Sequence, residues 1–297
     1  MGGSGLAGDV VRSLYASRSQ VPIVVSKGYS LPEFCGHDTF VIAASFSGDT
    51  EETLAAYEEA VQRGCRVVAV SAGGELAARS SAEGVPHVAI PGDVPVPRAA
   101  LGDLAGAPVG ILEAAELIPS ATSSVIAAAR LLDAVAERLA PAVPAAENEA
   151  KQLASWIGRR TPLIWASEDL GAAAALRWKN QMNENAKVPA FHAVLPELDH
   201  NDVEGWSEGT GQGYALVVLR QPGERHGLAA RIDATLDAIA PSGLDVREAR
   251  GEGRTGIERL FSLMMLGDFV STYLALERGL DPTPVPVLTG LKDRLRA

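Results

Sequence analysis

The chain has 297 residues, 47% of them hydrophobic and 21% charged, and its formal net charge at pH 7 is −11. That length is enough for two domains of ordinary size. The negative charge argues against a general binder of nucleic acid or of anionic membranes. Cys35 and Cys65 lack metal-type spacing and are expected to be buried or half-buried thiols in a reducing compartment. No run of about 18 apolar residues predicts a membrane span and no signal peptide is recognisable, so we expect a cytoplasmic protein.

The first segment of interest is a glycine-rich stretch, Gly2-Gly3-Ser4-Gly5, ahead of a helical pattern. Glycines permit close backbone approach, and a serine hydroxyl can bind a ligand. The segment is weak evidence by itself, because remnants of expression tags have the same composition. A parallel sheet would place a strand before such a turn. We therefore expect either a longer natural chain that supplies this strand or a domain that has lost it.

Short β-forming runs alternate with helical patterns through the first half of the chain. The predicted strands cover 21–25, 40–45, 66–70 and 87–90, and the predicted helices cover 51–63 and about 74–82. Strands that alternate with helices favour right-handed crossovers and a mostly parallel sheet.

The corner between the second of these strands and the helix that follows reads SFSGDTEET. Its three hydroxyl side chains are Ser45, Ser47 and Thr50. One interpretation is an ordinary helix start, in which Asp49 and Glu52 form a capping box. The other is an anion site, because the first N–H groups of a helix are unpaired and carry a partial positive charge that attracts phosphate. The corner alone leaves both interpretations open.

An isolated cation, Arg98, stands at the start of an Ala-rich stretch, about 98–140, which predicts two helices. An acidic residue would be favoured at a helix start, so Arg98 is either a solvated side chain or one that reaches an anion. Pro141 and Pro144 then indicate a linker over about 141–150.

The second half repeats the alternation of strands and helices. The predicted strands cover 162–166, 214–219 and 245–250, and the predicted helices cover about 170–183, 227–239 and 256–278. We therefore predict an α/β protein of two domains, 1–140 and 151–297, each a mostly parallel β-sheet flanked by helices.

Two polar clusters in the second half indicate chemistry. The segment RWKNQMNENAK closes a helix and contains Glu184, a carboxylate at the end where the helix dipole disfavours negative charge. That cost is tolerable if the carboxylate is needed for proton transfer. The segment ELDHNDVEGW places His200 among acidic residues.

Six segments occur in the order typical of the bifunctional phosphoglucose/phosphomannose isomerases of the sugar isomerase (SIS) domain superfamily, and the chain resembles that family over nearly its whole length. The segments are MGGSG, SFSGDTEET, PRAALG, RWKNQMNENAK, ELDHNDVEGW and DPTPVPVLTGLK. The resemblance implies two SIS domains, a homodimer whose active sites use both subunits, and interconversion of glucose 6-phosphate or mannose 6-phosphate with fructose 6-phosphate. It implies no metal and no cofactor.

The resemblance also implies a substrate-binding set in the first half. Ser45, Ser47 and Thr50 match the family's phosphate cradle, and Gly3 and Ser4 match its sugar-binding glycine-serine turn. A phosphate bound there would cap the helix as well, so the two interpretations of the corner are compatible.

Four further residues match the family's catalytic positions. Arg98 matches the arginine that stabilises the enediolate, and Glu184 matches the base that moves a proton between C1 and C2. His200 matches the residue that opens the sugar ring, contributed by the neighbouring subunit, and Lys292 matches a lysine that assists at the ring oxygen.

The chain departs from the common family pattern at a few positions. Phe46 and Asp49 replace the tyrosine and asparagine of the usual SYSGNTEET, and Asp199 replaces an asparagine. Because Asp49 adds negative charge beside a phosphate site, we expect it to point away and cap the helix. The resemblance links the family's acceptance of mannose to a threonine near the C-terminal lysine. Thr283 and Thr289 are the nearby threonines, and the alternative is that Val285 occupies that place.

Two alternatives to an isomerase remain at this point. One is a non-catalytic SIS module that senses a sugar phosphate and binds a partner protein, and the other is a different SIS-family enzyme acting on phosphosugars. A sensor would have no need for Glu184 and His200, so their presence favours the isomerase.

Overall fold

The computed structural model describes residues 1–168, 170–224 and 226–296. The chain divides into two compact units, Met1–Val125 and Ile126–Ala297.

The first unit contains a parallel three-stranded sheet with order β1-β2-β3. Its strands are β1 (Phe40–Ala44), β2 (Arg66–Ser71) and β3 (His87–Ala89), and its helices are α1 (Gly2–Tyr15), α2 (Glu51–Gln62), α3 (Gly74–Glu83) and α4 (Leu101–Ala114). In register, Ala43 pairs with Ala69 on β2, and Ala69 pairs with His87 on β3. A cluster of buried hydrophobic side chains in this unit includes Ala43, Tyr57 and Leu76. The predicted parallel alternation is confirmed for this part of the chain.

The predicted strand over 21–25 is wrong, because this segment is not part of the sheet. A strand is defined by a hydrogen-bonded neighbour, and a cavity of about 700 Å³ lies between Val21–Val25 and β1 and is lined by both. An ion pair between Lys27 and the buried Asp9 of α1 holds the end of the segment against that helix.

The glycine-rich segment lies within the first turn of α1 rather than before it. The helix begins at Gly2, and the Gly5 N–H donates to the Met1 carbonyl at 3.0 Å. Gly8, one turn further on, lets α1 approach the 21–25 segment, since a Cβ there would lie 2.8 Å from Val25 Cγ1. The small residues therefore serve close packing of a helix.

The Ala-rich stretch forms a 3₁₀ turn, Pro97–Ala100, followed by α4 and then by α5 (Thr122–Arg138), which confirms the two predicted helices. A second 3₁₀ turn, Ala145–Glu147, precedes α6 (Glu149–Ile157). The helix α6 begins inside the stretch for which the sequence predicts a linker.

The second unit contains a parallel four-stranded sheet with order β5-β4-β6-β7. Its strands are β4 (Thr161–Ser167), β5 (Phe191–Leu195), β6 (Tyr214–Arg220) and β7 (Asp245–Arg250), and its later helices are α7 (Leu170–Glu184), α8 (His226–Ile239), α9 (Gly256–Glu277) and α10 (Pro286–Arg296). The central strands β4 and β6 are almost wholly buried. Trp165 and Leu216 belong to a hydrophobic cluster to which α8 contributes Ile232.

The helix α9 is the longest apolar element of the described chain. Its length and composition would allow it to cross a membrane, but 61% of the relevant stretch is buried inside the unit. The Trp178 indole N–H of α7 donates to the Leu263 carbonyl at 2.7 Å, and Gly267 leaves room for that indole. The helix is therefore packed as a core helix, beginning at a capping box of Thr255 and Glu258.

Candidate active site

The first turn of α1 contacts two other segments of the first unit. The Ser4 hydroxyl accepts a hydrogen bond from the Phe46 N–H at 3.0 Å, so α1 is tied to the loop after β1. At Gly3, a Cβ would stand 3.8 Å from the Pro97 carbonyl oxygen and 3.9 Å from Arg98 Cα. These contacts bring the glycine-serine turn, the hydroxyl-rich loop and the arginine segment together.

Hydrogen bonds of hydroxyl side chains stabilise the loop between β1 and α2. The Ser45 side chain is buried, its Oγ lies 2.8 Å from Thr50 Oγ1, and it accepts from the Gly48 N–H at 3.2 Å. Ser47 is exposed, and its hydroxyl accepts from the Asp49 N–H at 3.2 Å. Thr50 is the residue before α2, and its side chain makes no capping bond to that helix. The hydroxyl groups of this loop therefore lie directly before the N-terminus of α2, which carries a partial positive charge.

The loop is pressed against the turn between β2 and α3. The Ala72 N–H donates to the Phe46 carbonyl at 2.9 Å, and the Leu76 N–H donates to the Gly48 carbonyl at 3.0 Å. Gly48 has φ +79° and Gly74 has φ +70°. A Cβ on Gly48 would lie 1.9 Å from the Gly73 carbonyl oxygen, so only glycine fits there.

The capping box predicted for Asp49 and Glu52 is wrong. Asp49 Oδ1 accepts from the Glu75 N–H at 2.9 Å, so this carboxylate caps α3 rather than α2. Asp49 does cap a helix, but the expectation that it caps α2 is wrong, because the capped helix is the next one. The close approach at Gly48 and Gly74 explains the difference, because it places the start of α3 within reach of Asp49 Oδ1, which would stand 2.7 Å from a Cβ on Gly74.

Arg98 is buried, with only 8% of its surface exposed, in the 3₁₀ turn before α4. The interpretation as a solvated side chain is therefore wrong. A buried guanidinium is stable only with hydrogen-bond and charge partners. Its Cα lies next to Gly3, so the backbone at Arg98 is beside the first turn of α1.

In the second unit, Glu184 is the last residue of α7, as predicted, and is half-buried. The next residue, Asn185, is buried, and its side-chain N–H donates to Ser271 Oγ of α9 at 3.0 Å. Lys187 Nζ donates to the Glu184 carbonyl at 2.6 Å. The backbone at Glu184 is therefore held by the Asn185 bond to α9 and by the Lys187 bond to the Glu184 carbonyl.

His200 ends the 3₁₀ turn Glu197–His200, which follows β5, and its side chain is exposed. The neighbouring acid Asp199 is engaged elsewhere, since it accepts from Thr235 Oγ1 at 2.8 Å and pairs with Arg231 at 3.0 Å, both on α8. These bonds fix the turn to α8 and leave the His200 side chain exposed.

Lys292 lies on α10 and is exposed. Of the residues considered for mannose acceptance, Thr283 donates its N–H to Asp281 Oδ1 at 2.8 Å, and Thr289 Oγ1 donates to the Val285 carbonyl at 3.2 Å. His200 and Lys292 are thus on separate exposed elements of the second unit.

Comparison with known proteins assigns the chain to a family. Residues 146–295 match the bacterial phospho-glucose isomerase C-terminal SIS domain. A bifunctional phosphoglucose/phosphomannose isomerase of Caldicellulosiruptor bescii is 33% identical over 297 residues, covering 99% of this chain and 87% of its own length. One of Aquifex aeolicus is 32% identical over 298 residues, covering 100% of this chain and 88% of its own. The chain belongs to the bifunctional phosphoglucose/phosphomannose isomerase family.

Solved structures agree with this family at the level of the fold. A hypothetical protein of Thermus thermophilus matches with a TM-score of 0.74 at 18% identity, covering 100% of this chain and 82% of its own. The predicted fold class, an α/β chain with parallel sheets flanked by helices, is confirmed.

Sequence reasoning assigns no role to several residues that position the candidate site residues. Asn185 and Lys187 belong to the recognised segment RWKNQMNENAK, yet their roles depend on contacts with Ser271 and Pro282, which are about 90 residues away along the chain. At Gly74 the sequence predicts only a helix start. The available signal is the Gly73-Gly74 pair directly after a strand, which is typical of a close backbone approach.

Proposed function

We propose that this chain is an aldose-ketose isomerase that interconverts glucose 6-phosphate, mannose 6-phosphate or both with fructose 6-phosphate through an enediol. The observation that carries the proposal is the cluster in the first unit, where a hydroxyl-rich loop at the start of α2 meets the Ser4 turn and the buried Arg98. Relatives named for this reaction match nearly the whole chain.

The phosphate is assigned to the loop between β1 and α2. Ser45, Ser47 and Thr50 would contribute hydroxyls, and the first turn of α2 would contribute N–H groups and a partial positive charge. Gly3 and Ser4 would contact the sugar. Asp49 supports the assignment because its carboxylate is engaged with the Glu75 N–H. Holding the phosphate remote from the reacting carbons uses binding energy to position them.

The proton transfer is assigned to Glu184. A single carboxylate can take a proton from C1 of the ketose and return it to C2, which converts one isomer to the other with no net change in oxidation state. The Arg98 guanidinium would stabilise the negative charge that develops on the enediolate oxygen. His200 would open the ring, and Lys292 would assist at the ring oxygen.

We further propose that the chain consists of two SIS domains, 1–140 and 151–297, joined by a linker over about 141–150. The first domain would bind the phosphate, and the second would carry the residue that transfers the proton. The active form would be a cytoplasmic homodimer in which His200 is contributed across the interface. The exposure of His200 is compatible with such a role.

The test is an isomerase assay on the purified chain with Glu184→Gln and, as a matched control, the exposed Glu147→Gln. We expect turnover of fructose 6-phosphate by the parent. Glu184→Gln should lower kcat about 100-fold or more, the usual contribution of a general base, and should still bind fructose 6-phosphate in a calorimeter. Glu147→Gln should behave like the parent.

Each other outcome identifies what fails. Binding without turnover in the parent would favour a sensor module. Full activity of Glu184→Gln would remove the base assignment. Comparing the parent rates with mannose 6-phosphate and glucose 6-phosphate decides between single and dual specificity.

A further inference from the structure

Lys187 has an unusual backbone conformation directly after the helix that carries Glu184. Its φ is +56°, in the left-handed region that non-glycine residues seldom occupy. Such conformations persist where surrounding contacts determine them and are common at functional sites. The contacts of the Lys187 side chain identify what fixes it.

Lys187 Nζ donates hydrogen bonds to three carbonyl oxygens. They belong to Glu184 at 2.6 Å, to Asn185 at 3.2 Å and to Pro282 at 3.0 Å. A lysine ammonium has three N–H donors, so it can make these three bonds at the same time. The side chain is thus held in one position although much of it is exposed.

Two of these bonds satisfy the end of α7. The last carbonyls of a helix have no partner within the helix, and a cation near them is favourable. The Asn185 N–H donates to the Gln181 carbonyl at 2.8 Å, and Lys187 Nζ donates to the carbonyls of Glu184 and Asn185. The cation therefore completes the helix end at the residue that bears the proposed base.

The third bond reaches a segment far along the chain. Pro282 lies in the stretch before α10, the helix that carries Lys292. The neighbouring Asp281 has its pKa lowered, first by hydrogen bonds from Thr283 and further by the nearby Lys187 charge. The ammonium group thus connects the end of α7 to the start of the C-terminal segment.

We propose that Lys187 is a positioning residue that fixes the Glu184 backbone and the segment leading to Lys292 relative to each other. The inference rests on the proposed function, in which the side chains of Glu184 and Lys292 must both keep a fixed geometry toward the sugar. Lys187 itself takes no proton from the substrate and acts through the segments that it joins.

The kinetic test compares Lys187→Met with Lys187→Arg and with Lys151→Met. Methionine keeps the apolar stem and removes the donors, whereas arginine restores donors. Lys151 is the matched control, because its Nζ also donates to two loop carbonyls, those of Pro141 and Val143, at 2.8 and 2.7 Å. We expect Lys187→Met to lower kcat about 10- to 100-fold with little change in KM, Lys187→Arg to recover most of the loss, and Lys151→Met to keep the parent kcat. Equal kcat in Lys187→Met and Lys151→Met would overturn the proposal.

A second readout does not depend on activity. In Lys187→Met, amide hydrogen exchange over 281–296 should accelerate, while exchange in the buried strand 214–220 should stay as in the parent. Unchanged exchange over 281–296 would show that Lys187 does not hold this segment, even if kcat fell. An inactive parent would refute the proposed function alone, and the exchange experiment would still decide whether Lys187 holds the segment. Lys187→Gln, whose side chain is too short to span the three carbonyls, replaces the methionine variant if that variant precipitates.

Discussion

Asp49 departs from the family's phosphate-binding motif, yet it has a structural role in this chain. A carboxylate beside a proposed phosphate site would repel the dianion if it faced the ligand. Here Oδ1 accepts from the Glu75 N–H at the start of α3, where the helix dipole favours negative charge. The same atom also shows the limit of local sequence reasoning, because its capping partner is 26 residues away.

Replacing Asp49 tests this capping role directly. We expect Asp49→Ala to lower the free energy of unfolding by about 1 kcal/mol, the usual effect of removing a helix cap. Asp49→Asn keeps an oxygen acceptor and should lose less. Urea denaturation monitored by circular dichroism measures both. Equal stability of the alanine variant and the parent would contradict the capping role.

At the scale of elements, two close backbone approaches set the shape of the hydroxyl-rich loop. Gly48 and Gly74 both have positive φ, and each lies where a Cβ would meet the backbone of the other segment within about 2 Å. The loop therefore has the β2–α3 turn as a rigid support. That support keeps Ser45, Ser47 and the α2 N-terminus in place.

Gly48→Ala and Gly64→Ala separate backbone strain from steric exclusion. Gly64 has φ +68°, but no heavy atom lies within 4 Å of the position that a Cβ would take, so its alanine variant should lose only about 1 kcal/mol of stability from the left-handed conformation. Gly48→Ala adds a collision with the Gly73 carbonyl and should lose more than about 3 kcal/mol. Urea denaturation of both variants gives the comparison. Similar losses in the two would show that the close approach does not constrain the loop.

The elements that the sequence predicts well are those whose signals are local. The buried strands β2, β4 and β6 are continuous apolar runs, and α9 is a long apolar stretch, so pattern alone identifies them. The segment 21–25 has an equally good β pattern, yet its state depends on a hydrogen-bonded neighbour, which no local pattern reveals. The sequence pattern misses the edge strand β5 for the complementary reason: this strand is partly exposed and carries His192, so its apolar run is short.

At the scale of the whole molecule, the order of six motifs is the strongest predictor of the family, because each motif alone has a common structural explanation. The net charge of −11 is not favourable for a phosphosugar, and the proposed site compensates locally with Arg98, a helix N-terminus and hydroxyl groups. The roles of Lys187 and Asn185 could not be predicted, since they follow from contacts between distant segments.

Proton transfer by Glu184 can be observed by isomerising fructose 6-phosphate in deuterium oxide and analysing the aldose phosphate by mass spectrometry and NMR. A carboxylate that removes a proton from C1 can exchange it with solvent before returning it. We expect deuterium at C2 of the product from the parent chain, and both product formation and exchange about 100-fold slower or more with Glu184→Gln. Product formed by the parent with complete retention of the substrate hydrogen, or deuterium incorporation at the parent rate by Glu184→Gln, would contradict proton transfer by Glu184.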